Sequence, residues 1–271
     1  MTGFEYWKRT HSAPYHFPMS EEVWKQSMKE DVDSDGRRLF ESLVLRQIPG
    51  GMIQYGMTAF GFDENGEISG RVHYPVIRDL AFDNIDAGRE LLGTAMEDFG
   101  TAQRIYAFFH YFGMSACGRH GKLHESQTHI HNLLLESGFA VEHENVYYSK
   151  VLANTSSPSD ISLIWRGESA GSCREFAAVL DGQEVCWGQV HFLPQGDIAY
   201  LRWIFTDGAR QHQGIGTEVM YSLFASLYAM GIRRFDTDTA LNNEAAQKYY
   251  EKCGFVNEGI TRSYFTNSIS V

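Results

Sequence analysis

The stretch Gln211-His212-Gln213-Gly214-Ile215-Gly216-Thr217 decides the fold of the second half of this 271-residue chain. It follows a predicted strand, residues 201–206, and precedes a segment with apolar residues at helical spacing. A glycine-bearing loop that opens a helix presents several backbone N–H groups and the positive end of the helix dipole to one anion. Glycines let an oxyanion approach the backbone where a Cβ would collide. The stretch therefore predicts a main-chain cradle for a phosphate or pyrophosphate, with a tight strand-to-helix turn as the alternative.

A second segment follows on the predicted last helix, Asn243-Glu244-Ala245-Ala246-Gln247-Lys248-Tyr249-Tyr250-Glu251-Lys252-Cys253-Gly254-Phe255. The pattern Gln-x-x-Gly-x-Gly at one helix start and Asn-x-x-Ala-x-x-Tyr-Tyr-x-x-x-Gly-Phe downstream resembles the acetyl-CoA-binding and C-terminal motifs of the GNAT (Gcn5-related) N-acetyltransferase family. The resemblance is strong over residues 160–265, and over residues 50–150 it rests on an internal repeat.

The resemblance implies a role for each matching residue. Acetyl-CoA would be the co-substrate, and its pyrophosphate would contact the loop and helix start: Gln211, His212, Gln213, Gly214, Ile215, Gly216 and Thr217. Main-chain groups near Phe205 and Thr206 would pair with the pantetheine arm and polarise the acetyl carbonyl. Asn243 would border the cofactor, and Tyr250 would lie near its sulfur.

A tyrosine near the sulfur suits the chemistry of acetyl transfer. The amine must attack as the neutral base, and the departing thiolate needs a proton or a hydrogen bond. A phenol with an ordinary pKa near 10 stays protonated at neutral pH and can supply either. Tyr250 aligns with the family's tyrosine, whereas Tyr249 points about 100° round the helix and is assigned to the core.

Three side chains are candidates for the base that takes the proton of the incoming ammonium. Asp236 and Asp238 alternate along an extended segment, so both would face one cleft. Solvated carboxylates at a strand end are the alternative for both. His191 repeats in the other half as His73, which favours a structural role for that position.

The first half of the chain repeats the second. Gly70-Arg71-Val72-His73-Tyr74 matches Gly188-Gln189-Val190-His191-Phe192, and an Asx-Gly turn precedes each stretch. Gly138-Phe139 matches Gly254-Phe255 at an offset of 116 residues, the same as from Gly66 to Gly182. We therefore predict two tandem GNAT-like domains, residues 1–152 and 161–271, joined by a linker at 153–160. Each would be an α/β (α+β) fold with a mixed, mostly antiparallel sheet flanked by helices.

The first copy lacks the Gln-x-x-Gly-x-Gly loop. Asp83 and Asp86 stand where a pyrophosphate would need positive potential, and Leu134 takes the position of Tyr250. We expect a degenerate domain that packs against or completes the other one. Its clustered histidines are interpreted as polar loop and helix-start residues rather than metal ligands: His120, His124, His129 and His131.

Composition excludes several classes of protein. With 23 Lys+Arg against 34 Asp+Glu, the net charge of −11 argues against nucleic-acid binding and favours cationic partners such as amines. The four cysteines form no Cys-x-x-Cys pair, which predicts neither a disulfide framework nor a zinc site and fits a reducing, cytoplasmic setting. No apolar stretch is long enough for a membrane span.

These features predict an N-acetyltransferase that moves an acetyl group from acetyl-CoA to a primary amine of a small molecule or peptide by direct attack, without a metal. A non-catalytic acyl-CoA-binding sensor or regulatory module is the alternative. The acceptor, the acyl chain length and the oligomeric state stay open.

Overall fold

The computed structural model describes residues 2–10, 18–29, 32, 36–102, 104–114, 121–154, 160–166 and 172–267. Cys117, His120 and residues 155–159 of the predicted linker lie outside the described residues. The chain divides into two compact units, one of residues 1–33, 37–144 and 260–271 and the other of residues 34–36 and 145–259. Residues 145–151 fall in the second unit because they pair there with a neighbouring strand, and residues 264–267 pair with a strand of the first unit.

The described helices are α1 (Gly3–Thr10), α2 (Glu21–Lys29), α3 (Ile85–Phe99), α4 (Thr128–Glu136), α5 (Ile215–Ala229) and α6 (Glu244–Lys252). The described strands are β1 (Phe40–Ile48), β2 (Gly51–Thr58), β3 (Gly61–Phe62), β4 (Ile68–Ser69), β5 (Pro75–Phe82), β6 (Arg104–Ala107), β7 (Leu123–His124), β8 (Ala140–Val151), β9 (Ser162–Arg166), β10 (Cys173–Leu180), β11 (Gln183–Phe192), β12 (Ile198–Thr206), β13 (Arg234–Ala240) and β14 (Val256–Asn267).

The first unit is built on a sheet in the order β1-β2-β5-β6-β14, with β7 also paired to β14. Its strands run antiparallel except for β5 and β6, which are parallel. Buried residues of α3 and α4, such as Leu91 and Leu133, share a core with Ile53 and Leu80 of the sheet. A second cluster joins α1 and α2 to the sheet through Trp24.

The second unit contains a sheet in the order β8-β13-β12-β11-β10-β9, again antiparallel except for one parallel pair, β12 and β13. Asp181 and Gly182 join β10 to β11 with φ values of +51° and +75°, the backbone that a two-residue hairpin turn requires. The mixed, mostly antiparallel α/β architecture predicted from the sequence is confirmed in each unit.

Helix α5 covers one face of this second sheet. Its apolar residues lie on one side and are fully buried, as their spacing predicts: Val219, Met220, Leu223, Phe224 and Leu227. The Phe224 ring lies 5.6 Å from that of Phe255, just after α6. Burying each such side chain stabilises the fold by roughly 1.5–3 kcal/mol. This packing fixes the start of α5 relative to the end of β12.

Candidate functional site

The parallel strands β12 and β13 separate partway along their length. Their register runs from Ile198 opposite Arg234 to Leu201 opposite Thr237 and stops there, although both strands continue. Beyond that point β12 still pairs with β11, and β13 with β8. The facing edges of β12 and β13 therefore offer main-chain hydrogen-bonding groups to a ligand between them.

A β-bulge in β12 accompanies this separation. Gln189 of β11 pairs with Trp203 and the next residue, Val190, pairs with Leu201, so Arg202 is an extra residue in β12. A bulge interrupts the alternation of side chains along a strand. Leu201 and Ile204 accordingly both pack in the core beneath α5, whereas Trp203 is exposed.

A cavity of about 780 Å³ opens where the two strands part. It is lined by β12, the glycine loop, the end of β13 and α6. The predicted site residues that line it are Phe205, Thr206, Gln211, His212, Gly214, Gly216, Thr217, Asp238, Asn243 and Tyr250. The others do not: Ile215 is buried in the core beneath α5, the Gln213 amide donates to the Ala209 carbonyl oxygen at 2.9 Å, and Asp236 is fully buried.

The glycine loop has the backbone of an anion-binding concavity. His212 and Gly214 both adopt positive φ, +61° and +85°, and Gly214 caps α5 without a side-chain hydrogen bond. The amides of Thr217 and Glu218 donate to the Gly214 carbonyl. Those of Ile215 and Gly216 are thus the first-turn donors left for a ligand.

Side-chain hydrogen bonds hold the glycine loop and the start of α6, which lie on two sides of the cavity. The Gln211 amide donates to the Thr206 carbonyl oxygen at 3.1 Å, which ties the loop to the end of β12. Asn243 accepts from the Ala246 amide at 3.2 Å, so it both caps α6 and borders the cavity. The first contact fixes the loop on the β12 side of the cavity, and the second fixes the start of α6 on the other side.

The corresponding helix start in the first unit is capped by a side chain. Asn84 caps α3 by accepting from the Ala87 amide at 2.9 Å, and Asp86 lies in the first turn. Leu134 is fully buried in the core of that unit. A capping side chain and a carboxylate therefore take the place that is open at Gly214.

Tyr250 lines the cavity, and its ring packs against two other aromatic rings. The ring lies 5.6 Å from those of Tyr148 and Phe255, and the side chain is 6% exposed. Burial raises the pKa of Tyr250 above its ordinary value, and a hydrogen bond with Thr237 opposes that rise. The hydroxyl is therefore protonated at neutral pH.

Asp238 is the carboxylate that lines the cavity. It accepts a hydrogen bond from the Tyr200 hydroxyl at 2.7 Å and another from the Asn145 amide at 2.6 Å. Two fixed donors orient the carboxyl group while it remains only partly buried. The side chain is thus placed to meet a cationic group in the cavity.

Asp236 lies behind the cavity in a buried ion pair. It accepts from the Tyr147 hydroxyl at 2.7 Å and pairs with the Arg234 guanidinium at 2.9 Å. Burial raises the pKa of Asp236 to about 6, while Arg234 and Tyr147 oppose the rise. His191 is likewise buried and does not line the cavity.

Sequence reasoning assigns no site role to several lining residues. Tyr249, predicted as core, lines the cavity and donates to the Gly216 carbonyl oxygen. The lining cations are Arg202, Lys248 and Lys252, against the single carboxylate of Asp238. Charged side chains are common on exposed helix faces, so nothing in the local pattern marks Lys248 or Lys252 as lining a cavity.

Among the described residues, no group of three or more His, Cys, Asp or Glu side chains is arranged to hold a metal ion. No described helix is both long and apolar enough to cross a bilayer.

Residues 137–255 match the acetyltransferase (GNAT) family model. The matched region carries the glycine loop, Asp238 and Tyr250, and so contains the whole lining of the cavity. No curated protein matches the chain.

Solved GNAT structures share the fold at low sequence identity. A tandem GNAT protein from the clavulanic acid biosynthesis pathway has a TM-score of 0.64 at 11% identity, over 99% of this chain and 96% of its own. A GNAT-family acetyltransferase from Colwellia psychrerythraea has 0.54 at 12%, over 99% and 98%. A GCN5-related N-acetyltransferase from Sphaerobacter thermophilus has 0.54 at 11%, over 97% and 89%. At such identities the likeness concerns the fold alone.

Proposed function

We propose that the second unit is an acetyl-CoA-dependent N-acetyltransferase that acts on a primary amine by direct attack. The observation that carries this proposal is the separation of β12 and β13 beside the glycine loop, with Tyr250 and Asp238 both lining the resulting cavity. One opening thus joins an anion cradle, an unpaired strand edge, a protonated phenol and a carboxylate.

The residues present fit acetyl-CoA. The concavity at His212 and Gly214 suits a pyrophosphate, and Lys248 and Lys252 add positive charge to the same cavity. The open edge of β12 near Phe205 and Thr206 suits the amide groups of a pantetheine arm. A volume of about 780 Å³ lies within the range of small-molecule sites.

The chain's own side chains supply the two proton transfers. Acetyl-CoA would supply the acetyl group: the amine nitrogen forms the C–N bond as the C–S bond breaks, and sulfur keeps that electron pair. Asp238 accepts a proton from the ammonium group of the acceptor, with its carboxylate oriented by Tyr200 and Asn145. The Tyr250 hydroxyl donates a proton or a hydrogen bond to the departing thiolate, because its raised pKa keeps it protonated.

Two measurements test this function. Isothermal titration with acetyl-CoA checks the cradle, and a free-thiol release assay over polyamines, amino acids, aminoglycosides, arylamines and peptides checks transfer. Binding together with thiol release supports the enzyme. Binding without release for any amine would support the sensor alternative, and no binding would overturn both.

The chain organisation is part of the same proposal. We propose that the chain consists of two tandem GNAT-like domains, residues 1–152 and 161–271, with a linker at 153–160. The support is the sequence repeat, the parallel strand pair in each unit and the fold similarity to a solved tandem GNAT protein. The reduced thiols of Cys173, Cys186 and Cys253 support a reducing, cytoplasmic location.

A further inference from the structure

Exposed aromatic side chains lie along the cavity of the second unit. Trp203 is 41% exposed and Phe205 is 48% exposed, and both line the cavity. Trp187 of β11 pairs with Phe205 in register, and the two rings are 5.3 Å apart. We call these three residues, Trp187, Trp203 and Phe205, the aromatic strip. Large aromatic side chains left exposed in a concave region commonly mark a binding surface.

The aromatic strip lies on the same sheet face as the cavity carboxylate. Tyr200 alternates with Leu201, which packs beneath α5, so Tyr200 points to the opposite face. The bulge at Arg202 then sends Trp203 and Phe205 to that same opposite face, because Ile204 returns to the core. Tyr200 donates to Asp238 at 2.7 Å, which places the carboxylate on this face as well.

A carboxylate beside aromatic rings suits one kind of ligand. The faces of tryptophan and phenylalanine rings attract a cation, and a carboxylate pairs with an ammonium group by a charge-assisted hydrogen bond. The same rings offer apolar surface on which a second ring can pack in an offset or edge-to-face arrangement. The two features together match an amine attached to an aromatic body.

The lining of the cavity favours an acceptor with one ammonium group. Among the described residues that form it, Asp238 is the single carboxylate. One carboxylate pairs with one ammonium group, so a monoamine suits this lining better than a polyamine, whose further ammonium groups would find no carboxylate there.

We propose that the acceptor is a small primary amine with an aromatic ring, which packs on Trp203 and Phe205 while its ammonium group binds Asp238. This substrate class rests on the proposed acetyl transfer. The aromatic strip then selects the acceptor, and the glycine loop, on a different set of residues, binds the cofactor.

A thiol-release assay with three amine probes tests the selection. At saturating acetyl-CoA, kcat/KM for phenethylamine should exceed that for butylamine and for spermidine by about tenfold or more, since only phenethylamine can cover the strip. The double variant Trp203→Ala, Phe205→Ala should raise KM for phenethylamine about tenfold. It should leave KM for acetyl-CoA unchanged, because the proposed pairing with the pantetheine arm uses main-chain groups near Phe205 and not its ring. The single variant Trp203→Phe keeps an aromatic ring at this position and should therefore have a KM for phenethylamine close to that of the wild type.

Tyr221→Ala is the matched control, because Tyr221 is 43% exposed on α5 and does not line the cavity. It should leave both KM values unchanged. Equal kcat/KM values for the three amines would overturn the substrate class. So would a double variant in which only the KM for acetyl-CoA rises.

Direct binding separates this proposal from the proposed function. Phenethylamine should quench the tryptophan fluorescence of the protein, and Trp203→Phe should remove the part of that signal that comes from Trp203. Quenching without thiol release would refute the transfer reaction and leave the aromatic site standing. Thiol release with other amines and no quenching would refute the aromatic site alone.

Discussion

The Tyr249 hydroxyl donates a 2.6 Å hydrogen bond to the carbonyl oxygen of Gly216. This bond ties α6 to the first turn of α5, the turn whose amides face the glycine loop. Because the side chain is half-buried, the bond is partly shielded from water. It gives Tyr249 a role distinct from that of its neighbour Tyr250.

Tyr249→Phe should therefore weaken the binding of acetyl-CoA without changing the chemical step. Loss of a neutral hydrogen bond costs roughly 0.5–1.5 kcal/mol, so the Kd should rise by up to about tenfold. Isothermal titration measures the Kd, and single-turnover kinetics should show an unchanged rate. Tyr221→Phe, which alters an exposed ring on α5, is the control and should leave the Kd alone.

Tyr250→Phe should instead slow the chemical step and leave the binding of acetyl-CoA unchanged. Removing a general acid lowers the rate by about 100-fold or more, while the ring still packs against Tyr148 and Phe255. Steady-state kinetics should give a reduced kcat with the acetyl-CoA Kd unchanged. Tyr148→Phe also loses one phenol hydroxyl, which donates to Glu251 at 3.2 Å, and should keep normal kcat. Full activity in Tyr250→Phe would remove the proton-donor assignment.

Gly214→Ala tests the backbone of the cradle. Nothing lies within 4 Å of the added Cβ, so the cost comes from the φ of +85°, roughly 1–2 kcal/mol for an L-residue. The acetyl-CoA Kd should rise about tenfold as the loop shifts to relieve that strain. Gly182→Ala is closely matched, with a φ of +75° and equally open space in the β10–β11 hairpin. It should lower thermal stability similarly and leave the Kd unchanged, so equal Kd values for the two variants would contradict the cradle.

Asp238→Asn should lower kcat/KM by about 100-fold at pH 7, where the acceptor amine is protonated. The pKa of a free alkylammonium group is near 10, so raising the pH toward 10 supplies neutral amine without the help of a base in the protein. The ratio of wild-type to variant activity should therefore fall as the pH rises. A ratio that stays constant from pH 7 to pH 9.5 would indicate a structural role for the carboxylate. Glu175→Gln, an exposed residue of β10, is the control.

Titration of Asp236 should instead change the free energy of unfolding. Its folded pKa of about 6 lies above the ordinary 3.8, so the folded state binds the proton more tightly than the unfolded state. The resulting stability is present below about pH 4 and is lost as the pH rises through 6, by roughly 3 kcal/mol at most. The free energy of unfolding of the wild type, relative to Asp236→Asn, should fall over that window. A difference that is independent of pH would show that the carboxyl is not perturbed in this way.

Local sequence determined the parts of this protein that depend on short-range geometry. The Asx-Gly hairpin at Asp181, the apolar face of α5 and the positive φ at Gly214 follow from residues adjacent in the chain. Turn preferences and helical spacing act within a few residues, so they can be predicted without knowing the neighbours in space.

The tertiary structure decided which side chains meet in the cavity. Asp236 and Asp238 have the same alternation along β13, yet Arg234 and Tyr147 enclose Asp236, while Tyr200 and Asn145 orient Asp238 toward the opening. Those partners come largely from other strands, and their positions depend on strand pairing. The bulge at Arg202 is equally nonlocal, because a register shift exists only between two paired strands. It turns Trp203 and Phe205 outward, and no pattern within β12 alone specifies that direction.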